Sequence, residues 1–182
     1  QMAMIVEQLS PEQISLKHEI KKILKYIGSI IEEVRRLYLD LTPGDLEDLG
    51  LTAALHSLIE DFADLQKQIK WTINIDELDG LFSLPIQTAI YRVVQEAMTN
   101  IGKYARPNKV LVEIKRVNGE FSFTIQDDGI GFERDKVFNE KKTVGLLAME
   151  ERVKILGGSY ELWSRENQGT KISFTIPIPG GN

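Results

Sequence analysis

Apolar residues near the N-terminus recur in alternating steps of three and four. The series between Leu16 and Leu41 has the heptad spacing of packed helices and comprises Ile20, Ile23, Ile27, Ile30, Val34, Leu37 and Leu41. A second flank of Leu24, Ile31 and Tyr38 makes the apolar stripe wider than a two-stranded coiled coil requires. The pattern predicts a long helix over about 11–41 that packs in a four-helix bundle, as a homodimer would provide.

Proline and glycine interrupt the heptads in the segment 41–50, which reads LTPGDLEDLG. Because these residues end or separate helices, the segment predicts a domain boundary. We expect a helical region over residues 1–48 and a globular domain over residues 49–182.

The remaining pattern alternates between helical and strand periods. Helical spacing predicts three helices, at 51–69, Pro85–Ala105 and 145–156. Period-two alternation predicts five strands, at 70–76, 109–117, 120–126, 159–165 and 170–178. Asn118 and Gly119 lie between two of these strands and form the strongest short hairpin signal available. Clustered hairpins with helices between them predict an α+β fold, in which a mixed sheet is covered on one face by helices.

Composition narrows the class of protein without naming a function. The apolar fraction of 42% and the charged fraction of 27% are those of an ordinary soluble globular protein. A net charge of -5 gives no basic field for nucleic-acid binding, and no apolar run approaches the roughly 18 to 20 residues of a membrane span. Cysteine is absent, which fits a reducing compartment, so we expect a cytoplasmic domain, free or cut from a membrane protein.

Three polar residues share one side of the helix predicted over Pro85–Ala105. Glu96 and Asn100 are four residues apart, and Lys103 lies three beyond Asn100. A carboxylate, a carboxamide oxygen and an ammonium group suit Mg²⁺ and a triphosphate, because Mg²⁺ prefers hard oxygen ligands. A solvated amphipathic face is the alternative that this helix alone leaves open.

The sequence DDGIGF at 127–132 follows a strand that alternates cleanly up to Ile125. Asp127 at the strand end could accept a hydrogen bond from an amino group on a flat heterocycle. Gly129 and Gly131 allow positive φ and close approach of the backbone to a ligand. A plain turn with an acidic start is the alternative, and Asp128 is expected in the turn or facing solvent.

Two further segments could contact a nucleotide. Gly145 precedes a predicted helix, whose free N–H groups favour phosphate, although a simple glycine N-cap explains it as well. The polar segment 133–143 suggests a mobile lid and contains Lys136, Lys141 and Lys142. Thr170 lies at a strand entrance, where its hydroxyl could reach a base or a bound water.

The order of these segments resembles the Bergerat-fold (GHKL) ATPases. YRVVQEAMTNIGKYA, DDGIGF, VGLLAMEERV and GGSYELWSRENQGTKISF look like the N, G1, G2 and terminal boxes of that family. Within it the chain is most similar to sensor histidine kinases of the nitrate-sensor and DesK-like class. The segment 32–62 resembles the connection between their dimerisation helices and their ATPase domain. The resemblance implies a two-layer α/β sandwich that binds ATP and Mg²⁺, preceded by part of the dimerisation and phosphotransfer helices.

The resemblance also implies roles for single residues. Asn100 would coordinate Mg²⁺, Glu96 would hold a metal-bound water or orient the γ-phosphate, and Lys103 would contact phosphates. The remaining nucleotide contacts are implied for Asp127 as the adenine reader, Gly129 and Gly131 at the base of the pocket, Gly145 as the hinge of the lid, Leu146 beside it, and Thr170 in support of the adenine contact. Two positions depart from the family pattern, since Tyr104 stands where histidine is frequent and Ala148 stands where a second glycine is usual.

The phosphoacceptor histidine is expected upstream of Gln1. His18 is followed by Glu19, yet it lies on the helix that matches the second dimerisation helix, so we expect a surface histidine there and a helix-surface or packing residue at His56. The implied function is transfer of the ATP γ-phosphoryl group to a histidine, for relay to an aspartate of a response regulator. The alternatives are a nucleotide-gated interaction module without phosphotransfer and a purely structural coiled-coil protein.

Overall fold

The computed structural model describes residues 44–133 and 144–180, together with five helical residues nearer the N-terminus, Glu19, Ile20, Lys22, Ile23 and Tyr26. The chain divides into two compact units, Gln1–Pro43 and Gly44–Asn182. Most of the predicted heptad helix, including His18, lies outside the described residues, and so do the lysines of the predicted lid. The assignment of residues 1–48 to a dimerisation region therefore stays a prediction.

The second unit contains both helices and strands. Its described elements are α1 (Gly44–Leu65), β1 (Lys70–Ile75), α2 (Leu84–Asn100), a π-helical turn (Ile101–Ala105), β2 (Lys109–Val117), β3 (Glu120–Asp127), α3 (Val144–Ile155), β4 (Tyr160–Ser164) and β5 (Thr170–Pro177). The five strands form one sheet in the order β1-β2-β3-β5-β4. β1 pairs parallel with β2, whereas the other three pairings are antiparallel, so the sheet is mixed. The predicted α+β fold is confirmed.

One face of the sheet forms the core. Alternate residues of the three central strands are buried, and their partners on the other face remain at least partly exposed. Phe123 and Phe174 stack across β3 and β5 with ring centroids 4.3 Å apart. Against this face α2 buries the apolar side that its sequence spacing predicted, with Ile90, Val93, Val94 and Ala97 all nearly inaccessible. The polar side of α2 is thereby left for other contacts.

The helix α1 begins earlier than predicted and contains a break. The spacing predicted a helix over 51–69, whereas the structure has helix over Gly44–Leu65, with Gly50 in a non-helical conformation (φ 84°, ψ 169°). After the break, the N–H of Thr52 donates to Asp79 Oδ1 at 3.0 Å. The hydroxyl of Thr52 accepts from the N–H of Leu78 at 2.9 Å and donates to Glu77 Oε1 at 3.1 Å. A distant loop therefore caps the second part of α1.

The turns follow their sequence signals more closely. Asn118 and Gly119 both have positive φ, of 49° and 84°, as the predicted two-residue hairpin requires. The last turn of the helix predicted over Pro85–Ala105 differs from expectation, since the α-helix ends at Asn100 and a π-helical turn continues to Ala105. This turn lies at the edge of the site described next.

Candidate functional site

A pocket of about 670 Å³ lies between α2, the π-helical turn, the loop after β3 and the first turn of α3. Its lining includes the predicted site residues Glu96, Asn100, Lys103, Asp127, Gly131, Gly145, Leu146 and Thr170. Gly129 does not line it and is buried beneath it. The structure therefore brings together residues from four separate segments of the chain. Sequence reasoning missed the apolar part of the lining, which includes Ala97, Ile101, Ile125, Ile130, Phe132 and Ile172.

Asp127 is the buried carboxylate of this pocket, and only 5% of the residue is exposed. Its Oδ1 accepts a hydrogen bond from the N–H of Gly129 at 2.8 Å, and its carboxylate also accepts from the N–H of Thr170. Burial raises the pKa of Asp127, the charge of Asp128 adds to the rise, and the two backbone hydrogen bonds only partly oppose it. The Asp127 carboxylate is thus held in place without a cationic partner among these contacts, and its oxygens can accept further hydrogen bonds.

Asp128, one residue on, has a different role. It is exposed, and its Oδ1 accepts from the backbone N–H of Asn108 at 2.7 Å and of Lys109 at 2.8 Å. The N–H of Asp128 in turn donates to the carbonyl of Lys109 at 3.2 Å. The side chain expected merely to sit in a turn or face solvent therefore also fastens the loop to the beginning of β2.

The two glycines of DDGIGF are required for different reasons. Both were expected to allow positive φ, but only Gly131 adopts it, with φ of 54°. Gly129 is instead required by contact, because a Cβ there would collide with the carbonyl oxygen of Ala105. At Gly131 a Cβ would also approach the carbonyl oxygen of Gly169 to 2.6 Å. The loop is therefore wedged between the end of the π-helical turn and the β4–β5 turn.

Glu96 and Asn100 lie on the pocket side of α2, and both are half-buried. The Nδ2 of Asn100 is buried and has no hydrogen-bond partner within the described ranges. Gly145 lies in the first turn of α3 rather than before it, and a Cβ at this position would collide with Oε1 of Glu96. The carboxylate of Glu96 therefore lies directly against the N-terminal turn of α3.

The π-helical turn shapes the open side of the pocket. Its carbonyl at Ala105 accepts from the N–H of Ile130 at 2.8 Å, which joins the helix end to the loop after β3. Arg106 follows in a left-handed conformation (φ 49°, ψ 52°) and lines the pocket beside Lys103 and Tyr104. No sequence pattern predicted this π-helical turn, although such turns are frequent at functional sites. Of the two departures from the family pattern, Tyr104 lines the pocket and is 66% exposed, whereas Ala148 is not among the lining residues.

Two kinds of feature are absent from the described residues. They contain no group of three or more His, Cys, Asp or Glu side chains that could hold a metal ion. No helix in the same part of the chain combines the length and the apolar character needed to cross a membrane.

Comparison with known proteins places the chain in a family. Residues 86–180 match the family described as histidine kinase-, DNA gyrase B- and HSP90-like ATPase. The signal transduction histidine-protein kinase/phosphatase DegS of Brevibacillus brevis is 33% identical over 160 residues, which are 88% of this chain and 41% of that protein. The sensor histidine kinase LiaS of Bacillus subtilis (strain 168) is 32% identical over 87% of this chain and 43% of that protein.

A third relative, the oxygen sensor histidine kinase NreB of Staphylococcus carnosus (strain TM300), is 33% identical over 87% of this chain and 45% of its own length. The chain thus spans less than half the length of the relatives it matches.

Solved structures agree on the fold. The histidine kinase domain of the Erythrobacter litoralis EL346 blue-light activated histidine kinase superposes with a TM-score of 0.67 at 18% identity, over 98% of this chain and 91% of that one. The ATP binding domain of PrrB from Mycobacterium tuberculosis superposes with a TM-score of 0.56 at 18% identity, over 71% of this chain and 94% of that one. The chain belongs to the histidine kinase-, DNA gyrase B- and HSP90-like ATPase family, and its ATPase domain is of the sensor histidine kinase class.

Proposed function

We propose that the pocket binds ATP with Mg²⁺ and that the intact protein transfers the γ-phosphoryl group of ATP to a histidine. The observation that carries this proposal is the gathering of a buried carboxylate, an acidic and amide helix face, and a helix N-terminus around one pocket of about 670 Å³. These groups are chemically complementary to the parts of ATP. Adenine, metal and phosphates each have a complementary partner.

The base end of the site is formed by Asp127 and Thr170. The carboxylate of Asp127 is an acceptor, and the apolar side chains of Ile125, Ile130 and Ile172 line the pocket around it. A flat heterocycle with an exocyclic amino group can pack against the apolar walls and donate to this carboxylate. Adenine has both properties. A buried hydrogen bond of this kind gives strong discrimination, because a base without the donor leaves the carboxylate unpaired.

The phosphate end is formed by α2 and the start of α3. Asn100 and Glu96 offer a carboxamide oxygen and a carboxylate, and the unpartnered amide of Asn100 is consistent with a ligand at this position. Two protein donors fit Mg²⁺, which takes its other ligands from water and substrate phosphates and neutralises their charge. Lys103 lines the same end, where its ammonium group would contact the phosphates. The free backbone N–H groups near Gly145 and Leu146, in the first turn of α3, favour binding of an anion. Gly145 would act as the hinge of the lid.

In the proposed reaction, the bond between the γ-phosphorus and the bridging oxygen breaks, and ADP leaves with the electron pair. A bond from an imidazole nitrogen to phosphorus forms, and the imidazole loses its proton. The acceptor histidine is proposed to lie upstream of Gln1, and a response regulator aspartate would receive the group next. His56 is half-buried on α1 and has no part in this scheme.

The intact protein is proposed to be a homodimer through the heptad helix, and to work in the cytoplasm, where ATP and response regulators are found. Ile23 of the heptad series is 54% exposed in the single chain, so it is available to a second copy. Bringing two copies together would cover such apolar positions in a four-helix bundle.

Calorimetry with a non-hydrolysable ATP analogue and Mg²⁺ tests nucleotide binding by this chain. Binding heat that is strong in the wild type and largely lost in Asn100→Ala is expected, with Asn74→Ala as the matched control on exposed β1. Absence of binding heat with the wild type would contradict the proposed ATP site.

Transfer is tested by mixing the chain with γ-labelled ATP and a longer chain that includes the upstream helix. Acid-labile label on the longer chain supports histidine phosphorylation. Binding of ATP without any label transfer would favour a nucleotide-gated interaction module instead.

A further inference from the structure

Three polar residues form a row across the ends of three adjacent strands. Asp127 of β3 pairs in register with Thr170 of β5, and Thr170 pairs with Ser164 of β4. Directly paired residues share one face of a sheet, so the three side chains are neighbours on the face that carries Ile125 and Ile172. Asp127 and Thr170 line the pocket, whereas Ser164 lies beside Thr170 and is not among the lining residues.

The hydroxyl of Ser164 has three partners. It accepts from the backbone N–H of Phe132 at 2.9 Å and donates to the carbonyl oxygen of Gly169 at 3.1 Å. Its oxygen also lies 3.0 Å from Oγ1 of Thr170.

Either hydroxyl could donate in this last contact, but all three contacts are hydrogen bonds at once only if Thr170 is the donor. A serine hydroxyl has one proton and two acceptor lone pairs. Because the proton of Ser164 is used at Gly169 and one lone pair at Phe132, the second lone pair remains for the proton of Thr170. The oxygen of Thr170 then faces its other neighbours as an acceptor only.

We propose that Ser164 is a positioning residue that holds the Thr170 hydroxyl as an acceptor and thereby makes the base end of the pocket prefer a 6-aminopurine over a 6-oxopurine. The inference rests on the proposed ATP site. With Thr170 fixed in this way, the row offers the pocket two acceptors, the Asp127 carboxylate and the Thr170 oxygen. An exocyclic amino group brings two N–H donors to these atoms, whereas a 6-oxo group brings a third acceptor and meets repulsion. Without Ser164, the Thr170 hydroxyl is free to turn its proton towards an oxo group.

The test compares ADP with inosine diphosphate, in which a 6-oxo group replaces the 6-amino group and an N1–H replaces the N1 lone pair, by calorimetry with Mg²⁺. The measured quantity is the ratio of the two dissociation constants. Ser164→Ala is expected to lower the preference for ADP about fivefold, the size of one neutral hydrogen bond. Ser164→Thr restores the hydroxyl and is expected to keep the wild-type ratio. Ser173→Ala, on the opposite face of β5, is the matched control and is expected to leave the ratio unchanged.

A purely structural role of Ser164 predicts a different result, because a loosened pocket weakens both ligands by the same factor. An unchanged ratio in Ser164→Ala would overturn the inference while leaving the proposed ATP site standing. Failure of the wild type to bind either nucleotide would overturn the proposed function itself. If Ser164→Ala does not fold, Thr170→Val removes the same acceptor, and an unchanged ratio there would equally overturn the inference.

Discussion

Asp79, in the loop after β1, and Asp127, at the end of β3 beside the next loop, each lie against backbone N–H groups, but their pKa values shift in opposite directions. Asp79 is exposed and accepts from the N–H of Thr52 at 3.0 Å. Partial burial raises its pKa, but hydrogen bonds donated by the backbone N–H groups of Thr52 and Leu51 oppose this, and the net pKa of Asp79 is lowered. The pKa of Asp127 is raised, because burial outweighs its hydrogen bonds.

The difference separates a carboxylate whose charge stabilises the fold from one whose charge costs stability. Asp79 is more stable in its charged form in the folded chain, so folding gains from its charge. Asp127 is less stable in its charged form, so the fold bears a cost for keeping that charge in the pocket. A buried carboxylate that costs stability and lines a pocket is a candidate for binding a ligand. The two loops therefore give matched substitutions that separate stability from binding.

The largest effect is expected from Gly129→Ala, in the Asp127 loop. A Cβ at Gly129 would collide with the backbone carbonyl of Ala105, whereas a Cβ at Gly80, beside Asp79, would meet nothing within 4 Å. Gly129→Ala should lower the free energy of unfolding by about 2 to 3 kcal/mol, as overpacking against backbone does. Gly80→Ala should cost about 1 kcal/mol, because its φ is positive. Urea unfolding measures both, and equal losses would contradict the close contact at Gly129.

Asp127→Asn is expected to separate binding from stability. The carboxamide keeps the shape of the side chain, but its NH₂ group opposes the amino group of adenine, so the affinity for ADP should fall at least about tenfold. Without nucleotide, the free energy of unfolding should change by less than about 1 kcal/mol, because loss of the buried charge offsets the weaker hydrogen bonds. Calorimetry and urea unfolding on the same sample decide this. A stability loss large enough to explain the lost affinity would make Asp127 a structural residue.

Asp79→Ala is expected to show the reverse behaviour. Removal of the cap from the second part of α1 should lower the free energy of unfolding by about 1 kcal/mol, while ADP affinity stays unchanged. Asp64→Ala, an exposed aspartate further along α1, should change stability by less than about 0.5 kcal/mol. Weakened ADP binding in folded Asp79→Ala would show that the two loops are not independent.

The smallest effect is a difference in pH dependence. An unfolded aspartate has a pKa of about 3.9. Because the folded pKa of Asp127 lies above this value, its contribution to stability is lost as pH rises from about 3.9 through the folded pKa. The folded pKa of Asp79 lies below it, so the contribution of Asp79 is lost as pH falls from about 3.9 through the folded pKa.

Unfolding free energies of the wild type, Asp127→Asn and Asp79→Ala between pH 3 and pH 7 would measure these contributions. The difference between wild type and Asp127→Asn should grow in favour of the wild type as pH falls, and the difference for Asp79→Ala should shrink. Differences that move in the same direction would contradict the assignment of opposite environments.

The elements that the sequence predicted are those in which the order of apolar and polar residues directly reflects which side chains are buried. β2, β3 and β5 alternate because one face of the sheet is buried, and Asn118-Gly119 adopts the turn that its residues favour. Residues of the site could also be predicted, because Asp127, Asn100 and Gly145 belong to segments with distinct sequence patterns. The structure shows that all three line one pocket. Their roles towards a nucleotide stay predictions.

Features that depend on distant partners were not predicted. The break at Gly50 lies against Asp79, which accepts a hydrogen bond from the N–H of Thr52 across 27 positions of sequence. The reason for a glycine at 129 is a carbonyl at the end of the preceding helix, and local residues gave no sign of it. Ser164 resembled an ordinary strand residue until the register of β4 and β5 brought it beside Thr170.

β4 lies at the outer edge of the sheet and pairs only with β5 among the described strands. A strand held by a single ladder separates more readily than one held by two, without unfolding of the core. Because Ser164 ends this strand, the residue proposed to position Thr170 belongs to an edge strand that can separate without unfolding of the core. In the proposed ATP site, substitutions in β4 that never touch the nucleotide would therefore change the rate at which it leaves, while the core that supports Asp127 stays unchanged.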